Sequence, residues 1–302
     1  MQTETVKKGG ERTAQEKISD ILKKKMTFSF EVFPPKNDKP IEPLLQTLEK
    51  LYQYEPDFIS CTFGAGGKNV GRNEEVLRAI VDSGHNAMAH YTCIGQAEED
   101  ILHTVENFQK IGIRNMLALR GDFPEGWTGT QGAFAHADRL MQFIKRQFPS
   151  MTLSGACYVE GHIQARSLDA DIAHLRSKQD NGAEFLTTQL NYDIDAYRRF
   201  IDRIRKAGIT IPVIVGVMPV LYKDGVIRMT LSNGCSIPAP LSRIIGKYGD
   251  KPEEFKKAGK EYTVNMIYQY MNEGIDGLHL YSLNKYRDLA EIIEEAGIRG
   301  TF

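Results

Sequence analysis

The chain has 302 residues, 41% of them hydrophobic and 25% charged, a globular composition with length enough for a large core. Its net charge of −1 gives no global field for nucleic acid or an anionic membrane, and no apolar run has transmembrane or signal-peptide character, so no membrane insertion and a cytoplasmic location are expected. The four cysteines, Cys61, Cys93, Cys157 and Cys235, include no C-x-x-C pair, which argues against structural zinc, an iron–sulfur cluster within this chain and a disulfide framework.

Residues 1–25 read as a polar tail and a leading helix, the helix over 13–24 with Ile18, Ile21 and Leu22 on one face; residues 26–302 read as one domain. Strand 1, 27–33, has Phe28, Phe30 and Val32 on one face and Thr27, Ser29 and Glu31 on the other; Pro34-Pro35 ends it, because neither proline offers an N–H. A helix at 41–53 follows. Strands at 58–63, 87–92, 115–119, 152–158, 184–190, 212–218 and 277–281 then alternate with helices at 73–83, 97–111, 135–147, 168–180 and 194–207. After strand 7 come helical segments at 224–231, 238–246 and 252–273, and a helix at 284–296 closes the chain. Gly84, Gly112, Gly182, Gly208, Gly274 and Gly297 stand where left-handed helix caps are needed. Eight strands, each followed by a helix, predict an α/β (β/α)8 TIM barrel. A doubly wound sheet is the competitor, and no G-x-G-x-x-G follows strand 1 to support it.

Helices outside the barrel make the polar face of each strand the inner one. That assigns Glu31 inward on strand 1, Ser60 and Thr62 on strand 2, and Asn86, Met88, His90 and Thr92 on strand 3. On strand 4, Arg114, Met116 and Ala118 lead into Arg120 and Asp122. Thr152, Ser154, Ala156 and Tyr158 align on strand 5, Thr187 and Gln189 on strand 6, and His279 and Tyr281 on strand 8. Chemistry in such barrels sits at the C-terminal mouth.

The mouth so predicted collects two carboxylates, Glu31 and Asp122, as candidate acid and stabilising anion. His90, His162, His174 and His279 lack an i, i+4 pair and a carboxylate at ligand spacing, so no metal site is expected. His90 and His162 read as hydrogen-bonding a ligand, and His279, lower in strand 8, as a packed core residue. Gly64-Ala65-Gly66-Gly67-Lys68 lacks phosphate-loop spacing and reads as a βα loop. The helix after strand 5, with Asp169, Asp171, Lys178 and nearby Arg166 and Arg176, reads either as an anion and ribose site or as an ordinary charged helix. Trp127, in Gly126-Trp127-Thr128-Gly129, is either a lid or a capped loop. No nucleophile elbow occurs, and Cys61 and Cys93 lack an evident base.

Phe30-Glu31-Val32-Phe33-Pro34-Pro35 and Leu117-Ala118-Leu119-Arg120-Gly121-Asp122-Phe123-Pro124 resemble the methylenetetrahydrofolate reductase family. Thr62-Phe63-Gly64, His90-Tyr91-Thr92-Cys93, Thr188-Gln189 and Tyr281-Ser282-Leu283-Asn284 support the resemblance, which spans about residues 26–300. It implies FAD at the mouth, reduction of 5,10-methylenetetrahydrofolate to 5-methyltetrahydrofolate, and NADH or another reductant as donor in a ping-pong sequence. It places Thr62, His90, Leu119, Arg120, Gly121, Asp122, Ala156, Tyr158, His162, Asp171 and Lys178 on FAD, with His136, Ala137 and His174 in the same set. It makes Glu31 the general acid and sets Asp122, Gln189, Tyr281 and Lys285 beside the folate. Several positions depart from the family: His136 replaces a common tyrosine, His174 and Ser177 replace an Asn and an Arg beside the FAD phosphates, with Arg176 as a substitute cation, Met229 replaces an aromatic on the donor side, and Lys285 replaces an arginine. Some bacterial members work with an iron–sulfur partner subunit; here any cluster would belong to another polypeptide. A homo-oligomer is compatible with the sequence. The alternatives are a flavin-independent pterin-binding one-carbon transferase barrel and a non-catalytic barrel subunit that docks a redox partner.

Overall fold

Strand β1, Thr27–Val32, shows how the sequence builds the barrel. Phe28, Phe30 and Val32 pack outward with the helices, while Thr27, Ser29 and Glu31 turn inward, as period-2 geometry requires. The computed structural model describes residues 15–63, 72–124 and 126–299. In it, β1 is joined by β2 (Phe58–Cys61), β3 (Ala87–Thr92), β4 (Asn115–Leu119), β5 (Thr152–Cys157), β6 (Ala183–Thr188), β7 (Val213–Val217) and β8 (Gly277–Tyr281). Each strand pairs in parallel with the next, and β8 returns to β1, with Glu31 beside Tyr281, so the barrel is closed as the alternation predicts.

The helices are α1 (Ile18–Ile21), α2 (Glu42–Tyr52), α3 (Arg72–Asp82), α4 (Glu98–Ile111), α5 (Ala137–Gln147), α6 (Leu168–Asp180), α7 (Ile194–Lys206), α8 (Lys223–Asn233), α9 (Ala239–Tyr248), α10 (Pro252–Asn272) and α11 (Tyr286–Glu295). Their apolar stripes bury against the outer faces of the strands; on α4 these are Ile101, Val105, Phe108 and Ile111. The six predicted cap glycines all have positive φ, and at Gly112 (φ 103°) the amide closes the last turn onto Phe108 and Gln109.

A second, smaller core fills the lumen: Ile18, Phe58, Met88, Leu117, Phe185 and Ile214. Ile18 comes from the leading segment, which corrects the expected helix over 13–24. Among the described residues that helix is a single turn, Ile18–Ile21. Residues 15–17 lie outside the helix, with Lys17 extended (φ −71°, ψ 125°), and side-chain amides tie the segment to the strand starts. Glu16 N donates to Asn86 Oδ1 (2.8 Å) and Ile18 N to Asn115 Oδ1 (2.8 Å), while Ala87 N donates to Gln15 Oε1 (2.7 Å). The segment thus seals the barrel floor and drives Ile18 into it, fully buried.

Strand β4 also departs from expectation. Leu117 faces the lumen, whereas Met116 and Ala118 pack outward. The expected parity runs through Arg114, Met116 and Ala118 into Arg120 and Asp122, but β4 ends at Leu119 and Gly121 turns the chain with φ 92°, so alternation does not carry across. The loop at 64–68 lies outside the described residues. Among the described residues no helix is long and apolar enough to cross a membrane.

Candidate active site

The end of β1 is clamped by the segment after β8. With no N–H at Pro34 or Pro35, Phe33 carries the last amide of the strand. Phe33 N donates to Asn284 Oδ1 (3.0 Å), and Asn284 Nδ2 donates back to Phe33 O (2.8 Å). Leu283 and Asn284 both adopt left-handed backbone (φ 50° and 55°), which aims the Asn284 amide at β1. Ser282 N donates to the carbonyl of Glu31 at 3.1 Å. The two motifs Phe30–Pro35 and Tyr281–Asn284 are therefore one structural unit, and what they hold is Glu31.

Glu31 points into the mouth and is 8% exposed. Its Oε2 lies 3.6 Å from His90 Nε2 and 3.9 Å from His279 Nε2. Burial pushes His90 down to about 4, against a smaller opposing pull from Glu31, so its imidazole is neutral at physiological pH. His90 Nε2 is buried and finds no hydrogen-bond partner. An orphaned ring nitrogen on a cavity wall is where a ligand's polar atom belongs.

Above this floor opens a cavity of about 760 Å³, lined by residues from the C-terminal ends of the strands and the loops that follow. Gly121 lets the chain turn against the wall: a Cβ there would lie 2.7 Å from Ile94 Cγ2. Arg120 lies over the Phe123 ring at 4.6 Å and donates from Nε to Gly121 O (2.9 Å). Lys178 reaches in from α6 and donates to Ala156 O (2.6 Å); burial lowers its pKa. Asp171 accepts from His162 N (3.0 Å), which fixes the loop after β5. His162 Nδ1 accepts from Gln164 N (3.1 Å), and its ring meets Tyr158 edge-on at 4.6 Å. Burial, followed by the charge of Asp122, pushes the Tyr158 phenol up to about 12, and burial, followed by the charge of Arg120, lowers His162. On the β8 side, Tyr281 Oη donates to Thr188 O (2.8 Å). It fits only because residue 216 is glycine, where a Cβ would lie 2.4 Å from that oxygen.

Every residue that the resemblance assigns to catalysis, FAD or folate lines this cavity, with Lys285 the exception. Lys285 is exposed and sits over the ring of Tyr222, 3.9 Å from its centroid. Arg176 does not compensate for the changes at 174 and 177: its Nε pairs with Asp180 (3.0 Å), and its Nη1 donates to the carbonyls of Ala207 and Gly208. Ser177 binds Asp138 (2.7 Å), while His136 and His174 stack at the rim, 6.2 Å apart. Trp127 packs on Gly95, where a Cβ would meet its ring at 2.9 Å, and it does not line the cavity. Met229 and Asn233 both line it, and Asn233 went unnoticed in the sequence although their i, i+4 spacing on α8 places both on one face. Met218 and Leu283, also missed, are apolar wall residues with no chemical signal. Among the described residues no group of three His, Cys, Asp or Glu side chains could hold a metal ion.

The lining combines apolar strand ends, a glycine-made recess, three cations (Arg120, Arg139 and Lys178), four carboxylates (Glu31, Asp122, Asp138 and Asp171) and an orphaned imidazole. It suits an amphipathic ligand with both apolar and polar parts. The sequence profile described as methylenetetrahydrofolate reductase matches residues 16–297. The chain belongs to the methylenetetrahydrofolate reductase family. It is 30% identical to the 5,10-methylenetetrahydrofolate reductase of Escherichia coli over 272 residues, covering 90% of each protein. It is 32% identical to methylenetetrahydrofolate reductase 1 of Schizosaccharomyces pombe and 33% identical to methylenetetrahydrofolate reductase (NADH) 1 of Arabidopsis thaliana, over 93% and 94% of this chain. It spans about half the length of those two relatives, 48% and 50%. The barrel is also shared with a solved protein from Clostridium thermocellum described as binding two copies of 5-methyl-5,6,7,8-tetrahydrofolic acid. Their TM-score is 0.64 at 13% identity, over 92% of this chain and 96% of that one, a likeness of fold.

Proposed function

We propose that this chain reduces 5,10-methylenetetrahydrofolate to 5-methyltetrahydrofolate with FAD at the barrel mouth. The observation that carries the proposal is the family's acid motif and its Arg120-Gly121-Asp122 motif meeting at one cavity, with Glu31 buried in its floor. The lining supports FAD. His90, Leu119, Arg120, Gly121, Ala156, Tyr158, His162 and Lys178 would hold it, with His136 and His174 at the rim. When bound, FAD supplies the hydride that converts the one-carbon unit to a methyl group.

The protein's own part is acid, charge and orientation. Glu31 gives a proton to the folate N10 as the methylene bridge opens, which makes that nitrogen a neutral leaving group. Asp122 stabilises the cation left on N5, a fixed negative charge placed where positive charge develops. Gln189 and Tyr281 bound the folate side of the cavity. Tyr281 stays neutral there, because burial and then the charge of Glu31 hold its phenol well above the usual range. One cavity serves both reductant and folate, so they take turns in ping-pong order. NADH is the expected donor, by analogy with relatives named for it; an iron–sulfur partner protein is the alternative source of electrons.

Visible spectroscopy of the purified protein tests the proposal. A flavin spectrum that bleaches with 5-methyltetrahydrofolate under anaerobic conditions is the expected result, and bleaching with NADH identifies the donor. A protein that cannot be loaded with FAD yet still binds the folate would contradict it in favour of flavin-independent one-carbon transfer.

A further inference from the structure

Helix α8 forms part of the cavity wall yet is thinly attached to the barrel. Its buried residues are Val226 and Thr230, where α5, of the same length, buries Ala137, Leu140, Met141, Phe143 and Ile144. Helix α9, which follows, buries Leu241. An element with so little buried surface opens at low cost, so the contacts at its end weigh heavily on where it sits. Those contacts matter to the site, because α8 presents Met229 and Asn233 to the cavity.

The turn after α8 makes three of them. Gly234 ends the helix in left-handed backbone (φ 66°) and packs on Ile163, where a Cβ would lie 3.6 Å from Ile163 Cβ. Cys235 Sγ donates to Leu190 O at 3.2 Å. Ser236 is held twice by one carboxylate: its N donates to Glu160 Oε2 (2.9 Å) and its Oγ to Glu160 Oε1. A van der Waals contact and a thiol hydrogen bond are weak, whereas the bonds to the carboxylate are charge-assisted.

Glu160 stands on the other side of the mouth. Its turn after β5 is closed by Gly161 N on Tyr158 O (3.1 Å), with Gly161 at φ 93°. Tyr158 and His162, two residues before and after it, line the cavity; Glu160 and Ser236 do not. Tyr158 and His162 belong to the flavin wall in the reading given above. Helix α8 follows β7, between β6, which leads to Gln189, and β8, which ends in Tyr281 on the folate side. The Glu160–Ser236 pair therefore ties the folate wall to the flavin wall across the rim.

We propose that Glu160 is a positioning residue for the folate wall: by holding both donors of Ser236 it seats α8, and so sets Met229 and Asn233 against the folate while FAD rests on the opposite wall. The proposal rests on the folate and FAD reading above. It gives a role to an acid that touches neither ligand.

Three variants remove different shares of the pair. Glu160→Ala removes both hydrogen bonds, and Ser236→Ala keeps the one from the backbone. Glu160→Gln keeps a carbonyl oxygen for the amide and an N–H for the hydroxyl. The first measurement, hydrogen exchange read by mass spectrometry, needs no flavin. Peptides from α8 and the turn after it should exchange fastest in Glu160→Ala, less so in Ser236→Ala and near the wild-type rate in Glu160→Gln, with the strands unchanged. Unchanged exchange in α8, or faster exchange throughout the barrel, overturns the proposal. The second is rapid mixing of dithionite-reduced, FAD-loaded protein with 5,10-methylenetetrahydrofolate. In Glu160→Ala the folate concentration for half-maximal flavin reoxidation should rise about 10-fold, the scale of a lost hydrogen bond to a charged group. The limiting rate and the FAD affinity should stay at wild-type values, and the three variants should keep the same order. A parallel loss of FAD affinity, or a lower limiting rate at unchanged half-saturation, overturns the proposal. A wild-type protein that never binds flavin defeats the functional reading instead, and the exchange result still decides whether Glu160 seats α8.

Discussion

At the N-terminal end of the barrel, residues 15–21 cross the opening and their amides are taken up by Asn86 and Asn115, while Ile18 plugs the lumen. At the C-terminal end the same strands stop short of closure. Their last side chains surround a cavity of about 760 Å³, and His90 Nε2 is left without a partner. The floor is plugged by Ile18 and tied by side-chain amides, with Thr27 Oγ1 and Thr152 Oγ1 unpartnered at the strand starts; the mouth stays open and carries the orphaned imidazole. Stability and chemistry are thus assigned to opposite ends of one set of strands.

Substitutions at the two ends should therefore fail in different ways. The largest effect expected is at Glu31. Glu31→Gln should retain FAD and its reduction by NADH but slow folate-dependent reoxidation by about 10²–10⁴-fold, the range for a lost general acid. Equal loss in both half-reactions, followed by rapid mixing, would make Glu31 structural. Next is the floor. Ile18→Ala should lower unfolding free energy by about 2–5 kcal/mol, as cavity formation does. Denaturant melts should show this while FAD affinity stays at the wild-type value; a parallel loss of FAD affinity would mean that the two ends are coupled. A smaller effect is pH dependence at the mouth. Burial moves His90 from an ordinary 6.5 to about 4. The unfolded chain then binds this proton more readily than the folded one, so stability is full above pH 6.5 and falls as pH is lowered from 6.5 to 4. The loss is roughly 3 kcal/mol for the ligand-free protein. His90→Gln should flatten that slope in melts across the window, and an unchanged slope would assign it to other groups.

The same contrast governs what could be read from the sequence. Inward and outward residues of β1, β2, β3, β5, β6 and β8 were legible because alternation follows from strand geometry alone. It failed on β4, where the informative residues, Arg120 and Asp122, lie past the strand end and beyond the Gly121 turn. Ile18, Ile21 and Leu22 fit helical spacing, which predicts a longer leading helix than the single turn that forms. The side chains that bind Glu16 N and Ile18 N instead are Asn86 and Asn115, which are distant in the chain. Arg176 carries the right charge in the right helix, but only its contacts with Asp180 and the turn after α7 show that it faces away from the cavity. Lys285 follows the clamp motif closely, yet the left-handed residues before it send it toward Tyr222, outside the cavity lining. For the site, the residue types around Glu31 were legible; the partnership of Glu31, His90 and His279 was not, because it joins three strands.

The central claim is that the mouth carries out flavin-mediated folate reduction. Single-turnover mixing of the FAD-loaded, fully reduced protein with 5,10-methylenetetrahydrofolate under anaerobic conditions tests it most directly. The account predicts return of the oxidised flavin spectrum with one 5-methyltetrahydrofolate formed per flavin. Binding of the folate with no flavin reoxidation and no methyl product would contradict it.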